Sequence, residues 1–179
     1  FGFRPNEKID IAAGGDSYFD NAESLHDEYY HFDDSTSNKV DYNNVAGYVQ
    51  ARFITKALNI TVGARYDNHS RFGSAFSPRV GLNKTIDKLH LKLLYSRAFR
   101  APSIENLNYS ETGDLDPEIT EVIEFEAGYL IGSKMTVVAN VYNIKIENPI
   151  IFTADGGDVY ANFSKAGTVG FETEYKIKD

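Results

Sequence analysis

The side chains best equipped for chemistry in this sequence are carboxylates, gathered in two loops. Asp27, Glu28, Asp33 and Asp34 stand with His26 and His31 in one stretch, and Asp155 and Asp158 flank Gly156-Gly157 in another. Hard cations such as calcium take several oxygen ligands, which clusters of this kind can supply. The spacing matches no defined calcium loop, so the competing reading is a solvated, self-repelling segment. Eight of the 26 acidic residues fall between Asp16 and Asn43, against Lys39 alone, so most of the net charge of −8 sits there. A loop of that sign attracts a cationic or metal-bearing partner. Nucleophilic chemistry has little to draw on. Cysteine is absent, histidines number four, and no Gly-x-Ser-x-Gly, phosphate-cradling glycine loop or His-Glu-x-x-His occurs. The chain therefore reads as a non-enzyme without a cofactor or a nucleic-acid partner.

The elements that must hold these loops are strands. Hydrophobic residues make up 42% of the 179, too many for a disordered chain, yet no run approaches 18 apolar residues. A membrane is still open to it, because a spanning strand needs only about 9–11 alternating residues. Period 2 dominates and places about eight strands, at 8–15, 45–55, 59–67, 76–84, 89–96, 119–129, 135–146 and 168–178. One face is apolar: Val49, Ala51 and Phe53, then Ile60, Val62, Ala64 and Tyr66, and further on Leu89, Leu91, Leu93 and Tyr95, Ile123, Phe125, Ala127 and Tyr129, Val169 and Phe171. The opposite face carries Arg52, Arg65, Arg79, Glu124, Glu126, Glu172 and Glu174. The 135–146 run is ambiguous, since Val137/Ala139/Val141 and Val138/Tyr142/Ile144 both offer apolar rows.

Connection lengths alternate. Short links lie near 56–58, 85–88 and 131–134, and long ones at 16–44, 68–75, 97–118 and 147–167. All long links thus emerge at one end, the habit of antiparallel outer-membrane barrels, which turn their apolar face to lipid and their polar face to the lumen. Tyr66, Phe76 and Tyr95 fall near the long-loop end and Phe53 and Tyr129 near the other, where interfacial aromatics gather. A soluble β-sandwich with one buried face is the competing fold.

Several runs carry a resemblance. They are Asn43-Asn44-Val45-Ala46-Gly47-Tyr48-Val49-Gln50, Val62-Gly63-Ala64-Arg65-Tyr66-Asp67, and Phe72-Gly73-Ser74-Ala75-Phe76-Ser77-Pro78-Arg79-Val80-Gly81-Leu82. With them go Ser96-Arg97-Ala98-Phe99-Arg100-Ala101-Pro102-Ser103, Leu115-Asp116-Pro117-Glu118 with Glu124 following, Tyr160-Ala161-Asn162 and Gly170-Phe171-Glu172. In this order, over roughly residues 40–176, they resemble the barrel of TonB-dependent outer-membrane receptors. The resemblance implies an all-β, antiparallel up-and-down meander forming an arc of a 22-stranded barrel whose lumen a plug fills.

It further implies partners: the plug domain, the TonB complex reached through a segment before the plug, outer-membrane lipid, and a scarce nutrient such as a ferric siderophore, cobalamin, haem or an oligosaccharide. The ferric siderophore is the favoured nutrient. Residues 1–179 are expected to be a single partial barrel segment, lacking the plug and the barrel's C-terminus. Ligand contacts are expected from the outer loops, at Asp27, Glu28, His31, Asp33, Asp34, Arg100, Asn106, Tyr109, Asp155 and Asp158. The seven charged residues of the polar face would line the lumen, against the plug or paired with one another. Haem receptors of this family place a histidine after the Arg100 box, and residues 103–118 hold none. The alternative within the membrane is a self-contained eight-stranded barrel with a structural or adhesive role.

Overall fold

The computed structural model describes residues 1–23, 39–110, 114–154 and 159–177. Alternation of side chains forces extended backbone almost throughout. The strands are β1 (Gly2–Asn6), β2 (Ile9–Glu23), β3 (Lys39–Ile54), β4 (Asn59–His69), β5 (Gly73–Ile86), β6 (Leu89–Arg100), β7 (Glu118–Ile131), β8 (Met135–Glu147), β9 (Ile150–Thr153), β10 (Val159–Asn162) and β11 (Lys165–Ile177), with one short helix, α1 (Ile104–Asn108). Nine strands form one antiparallel meander in the order β1 to β8 followed by β11, and β9 and β10 form a separate hairpin. The order is open: β1 lies at one edge and β11 at the other. The closed eight-stranded barrel is therefore not what these strands make. No described helix is long and apolar enough to cross a membrane, which leaves strand crossing untouched.

Cross-strand partners share a face. One ladder row joins Ile9, Phe53, Ile60, Leu82, Leu93, Phe125, Val141 and Phe171. The apolar face expected from the sequence is thus one continuous surface. It also resolves the ambiguous strand, since Val137, Ala139 and Val141 join it and Val138, Tyr142 and Ile144 go to the other side. No described residue outside the sheet covers this face. Phe125 is 47% exposed and Phe171 67%, so a sandwich, which would bury them in a second sheet, is excluded.

The uncharged stripe on this face does not run straight across the ladder. On β2 it runs from Ile9 up to Asn21, with up meaning toward the long-loop end, so the row above is its lowest step. On β11 it runs from Gly167 down to Ile177, so the same row lies mid-stripe. Its centre slips by about seven residues over the seven strand-to-strand steps, or about one residue per strand. At about 3.3 Å per residue and about 4.8 Å between strands, that slope equals a strand tilt of about 35°. Strands of closed membrane barrels tilt by this amount relative to a level apolar band.

Three expectations are corrected. The 16–44 link shrinks to 24–38, because β2 and β3 continue pairing as far as Glu23↔Lys39. The 68–75 link is not long: β4 reaches His69 and β5 starts at Gly73, leaving three residues, with Gly73 taking the positive φ of 69° that the turn requires. The remaining long links hold structure of their own, α1 in one and the β9–β10 hairpin in the other. Long connections still gather at one end, but one partner in that pattern is a tight turn.

Candidate functional site

The register puts Arg52, Arg65, Arg79, Glu124, Glu126, Glu172 and Glu174 on a single face of the sheet, opposite the apolar stripe. Most of these charges are paired across strands. Arg52 donates to Asp10 on the neighbouring strand, and Asp10 also accepts from Arg4. Arg65 forks between two carboxylates: its Nη2 lies 2.9 Å from Asp16 Oδ1 and its Nε 2.9 Å from Asp67 Oδ2. Asn44 Nδ2 donates to Asp67 Oδ1 at 3.1 Å, and Asn44 and Asp67 are both buried. The planar guanidinium suits such two-pronged recognition, and shared hydrogen bonds hold the fork in place. Farther round, Lys92 Nζ donates to Glu124 Oε1 at 2.9 Å and stands 4.0 Å from Glu126. Among the described residues Arg79 and Glu172 form no ion pair, although both stand on this face and are exposed. They are the charges left to meet something outside this sheet.

The second region is a platform at the long-loop end. Pro102 cannot extend the ladder, so β6 stops at Arg100 and the chain turns into α1. A capping box starts the helix: Ser103 Oγ accepts from the Asn106 amide at 3.1 Å, and Asn106 Oδ1 accepts from the Ser103 amide at 3.0 Å. Helix packing buries Leu107 completely, against Val40, Leu115 and Ile150, with Tyr42, Phe72, Ile104 and Tyr160 around them. Two polar clamps fasten this cluster. Glu118 accepts from Arg100 Nε with one oxygen and from the Ile150 amide, at 2.7 Å, with the other. Asn162 Oδ1 accepts from the Asp116 amide at 2.7 Å, while its Nδ2 donates to the carbonyls of Asp116 and Asn148 at 3.0 and 2.9 Å. The hydrogen bond from Arg100 holds the Glu118 carboxyl below its ordinary value, and the same bond raises Arg100.

His69 closes the inner side of the platform. It is 6% exposed, and its ring lies 4.9 Å from that of Phe72 and 5.4 Å from that of Tyr42. Its Nδ1 accepts from the Arg71 amide at 3.2 Å, so the neutral ring carries its proton on Nε2. Burial lowers its pKa, and among the described residues Asp20 pulls the other way.

Of the ten loop residues expected to touch a ligand, three are described, and they have different tasks. Arg100 is tied to Glu118, and Asn106 is buried as the helix cap. Tyr109 is 55% exposed at the end of α1, its carbonyl accepting from the Tyr160 amide. Asp27, Glu28, His31, Asp33, Asp34, Asp155 and Asp158 lie outside the described residues. The clamps of Glu118 and Asn162 were missed. The runs that contain them were visible, but nothing in a linear reading joins Asp116 to a residue 46 positions away.

A family model described as TonB dependent receptor-like, beta-barrel matches residues 2–178. No curated protein sequence matches the chain. Among solved structures, the siderophore receptor PirA from Pseudomonas aeruginosa superposes with a TM-score of 0.79 at 20% identity, over 96% of this chain and 34% of that one. PirA from Acinetobacter baumannii gives 0.76 at 17% identity, over 98% and 33%. A mutant ferric enterobactin receptor, PfeA, from Pseudomonas aeruginosa in complex with enterobactin gives 0.75 at 14%, over 96% and 31%. The chain thus spans about a third of the length of these receptors.

Proposed function

Because this chain belongs to the TonB-dependent receptor β-barrel family, we propose that it forms part of the wall of an outer-membrane receptor that captures and imports a ferric siderophore. The observation carrying this reading is the stripe that slips by about one residue per strand. A continuous uncharged surface, uncovered by any layer among the described residues and tilted as a barrel requires, suits acyl chains as its covering. The ion-paired face behind it would line a hydrated bore, where Arg79 and Glu172 meet the plug. A plug and a TonB complex are the partners this reading requires, and the role is transport rather than catalysis. The choice of a ferric siderophore draws on the neighbours, which are named as siderophore and enterobactin receptors.

The platform would serve as the outer rim on which ligand-contacting loops are mounted. Deletion must spare the paired stretches, because Asp20↔Tyr42 and its neighbours are part of the β2–β3 ladder. Removal of residues 24–38 from the intact receptor takes out four carboxylates and no described strand. Cell-surface binding of ferric enterobactin, cobalamin and haem, measured side by side, tests the proposal. The expected result is binding of the ferric siderophore alone, weakened at least tenfold by the deletion. Binding of cobalamin or haem in its place would overturn the ligand assignment.

A further inference from the structure

At the long-loop end the wall forks. Pairing between β5 and β6 runs from Ile86↔Leu89 only as far as Arg79↔Ser96. Both strands continue past that point, but apart: β5 stays with β4 down to Gly73↔His69, and β6 stays with β7 up to Arg100↔Glu118. Pro78 stands at the fork, and proline has no N–H to give a ladder. Between the diverging strands lies a cleft of about 460 Å³. Phe76, Phe99 and Ile119 wall it, with Ser74 and Arg97, and all five stand on the apolar face by register. The cleft therefore borders the uncharged stripe, while Ala75 and Ala98 line it from the opposite face.

We propose that this cleft binds a phosphate-bearing lipid of the outer leaflet, with an acyl chain between Phe76 and Phe99 and the phosphate at Arg97; the inference rests on the reading that the stripe faces a bilayer. Three observations carry it. First, the height is that of a headgroup. Just above Tyr95 and Ile123 the stripe gives way to the charged row Arg97, Glu121 and Lys145. Second, Arg97 has donors to spare. Its Nε stands 3.9 Å from Glu121 Oε1, an oxygen that also accepts from Tyr95 Oη at 3.4 Å, whereas a guanidinium offers five N–H groups. Third, the facing edges of residues 73–78 and 97–100 have no partner strand in each other, and unpaired backbone beside hydrocarbon costs several kcal/mol per group. A phosphodiester and headgroup hydroxyls supply acceptors and donors there, with Asp116 and Asn148 bordering the loop end. An added peptide strand fits less well, because β6 offers only four residues of open edge.

The test uses the intact receptor, purified, stripped of lipid and offered phosphatidylglycerol or phosphatidylcholine, with bound lipid counted by native mass spectrometry. Phosphatidylglycerol, with a net charge and two hydroxyls, is expected to be retained at least tenfold better. Arg97→Gln and Phe99→Ala are each expected to lower that retention at least tenfold, while heat-modifiable migration on gels shows the barrel still folded. Millimolar inorganic phosphate is expected not to displace the lipid. Equal retention by folded Arg97→Gln, or full displacement by phosphate, would overturn the cleft as a lipid site. A receptor that does not fractionate with the outer membrane would overturn the wall reading itself, a separate outcome.

Discussion

The wall and the platform are stabilised in opposite ways. In the wall the large apolar residues are exposed, with Val169 at 73% and Phe171 at 67%, and the backbone ladder with the ion pairs of the polar face holds the strands together. In the platform Leu107 is at 0% and sits in a small core of its own. Apolar surface left in water is costly, at about 25 cal/mol per Å². The described residues of the wall leave the stripe uncovered, and on the reading proposed above lipid covers it. The platform carries its own burial.

The sharpest way to break this contrast is to charge the stripe. Phe125→Arg places a cation on the face we assign to acyl chains, and Glu172→Gln removes an anion from the other face. The arginine is expected to cost about 2–4 kcal/mol of folding free energy in lipid vesicles. The glutamine is expected to change little, since Glu172 has no ion-pair partner among the described residues. Denaturant titration in vesicles measures both, and equal costs would erase the distinction between the faces.

A comparable effect, confined to one unit, is expected inside the platform. Leu107→Ala opens a cavity where the residue is completely enclosed, at a cost of about 2–5 kcal/mol confined to that unit. Hydrogen exchange is expected to quicken at 104–110 and 150–153 while the ladder at 89–96 keeps its protection. Loss of protection in both regions would mean that platform and wall fold as one.

The smallest effect is a dependence on pH. His69 has a lowered folded pKa, so the unfolded chain binds its proton first as pH falls through the ordinary value of 6.5. Its stabilising contribution is complete above that value and is lost below it. The Glu118 carboxyl is also lowered, so its contribution is complete above the ordinary 4.5 and is lost in a more acid range. Platform stability is expected to fall in two steps on acidification, and His69→Gln is expected to remove the upper one. Thermal melts of the intact receptor between pH 7.5 and 2.5 read this directly, and a single step at low pH in the wild type would assign the histidine no part.

What could be read in advance follows from the range of the forces. Alternation at Leu89, Leu91 and Leu93 is written between next-nearest neighbours, so the strands and both faces were visible, and so was the stop at Pro102. The 68–75 link looked long because His69 and Gly73 carry no local sign of the tight turn that joins them. The pairing of Arg100 with Glu118 was not legible, because the partner lies 18 positions away.

The sequence by itself determined a β-meander with one apolar and one charged face, because side-chain alternation in an extended chain is a local property. Register, tilt, the fork beyond Pro78 and the clamps of Glu118 and Asn162 were decided only by the tertiary structure. Each depends on which distant backbone lies beside which, and strand pairing sets that for the whole sheet at once.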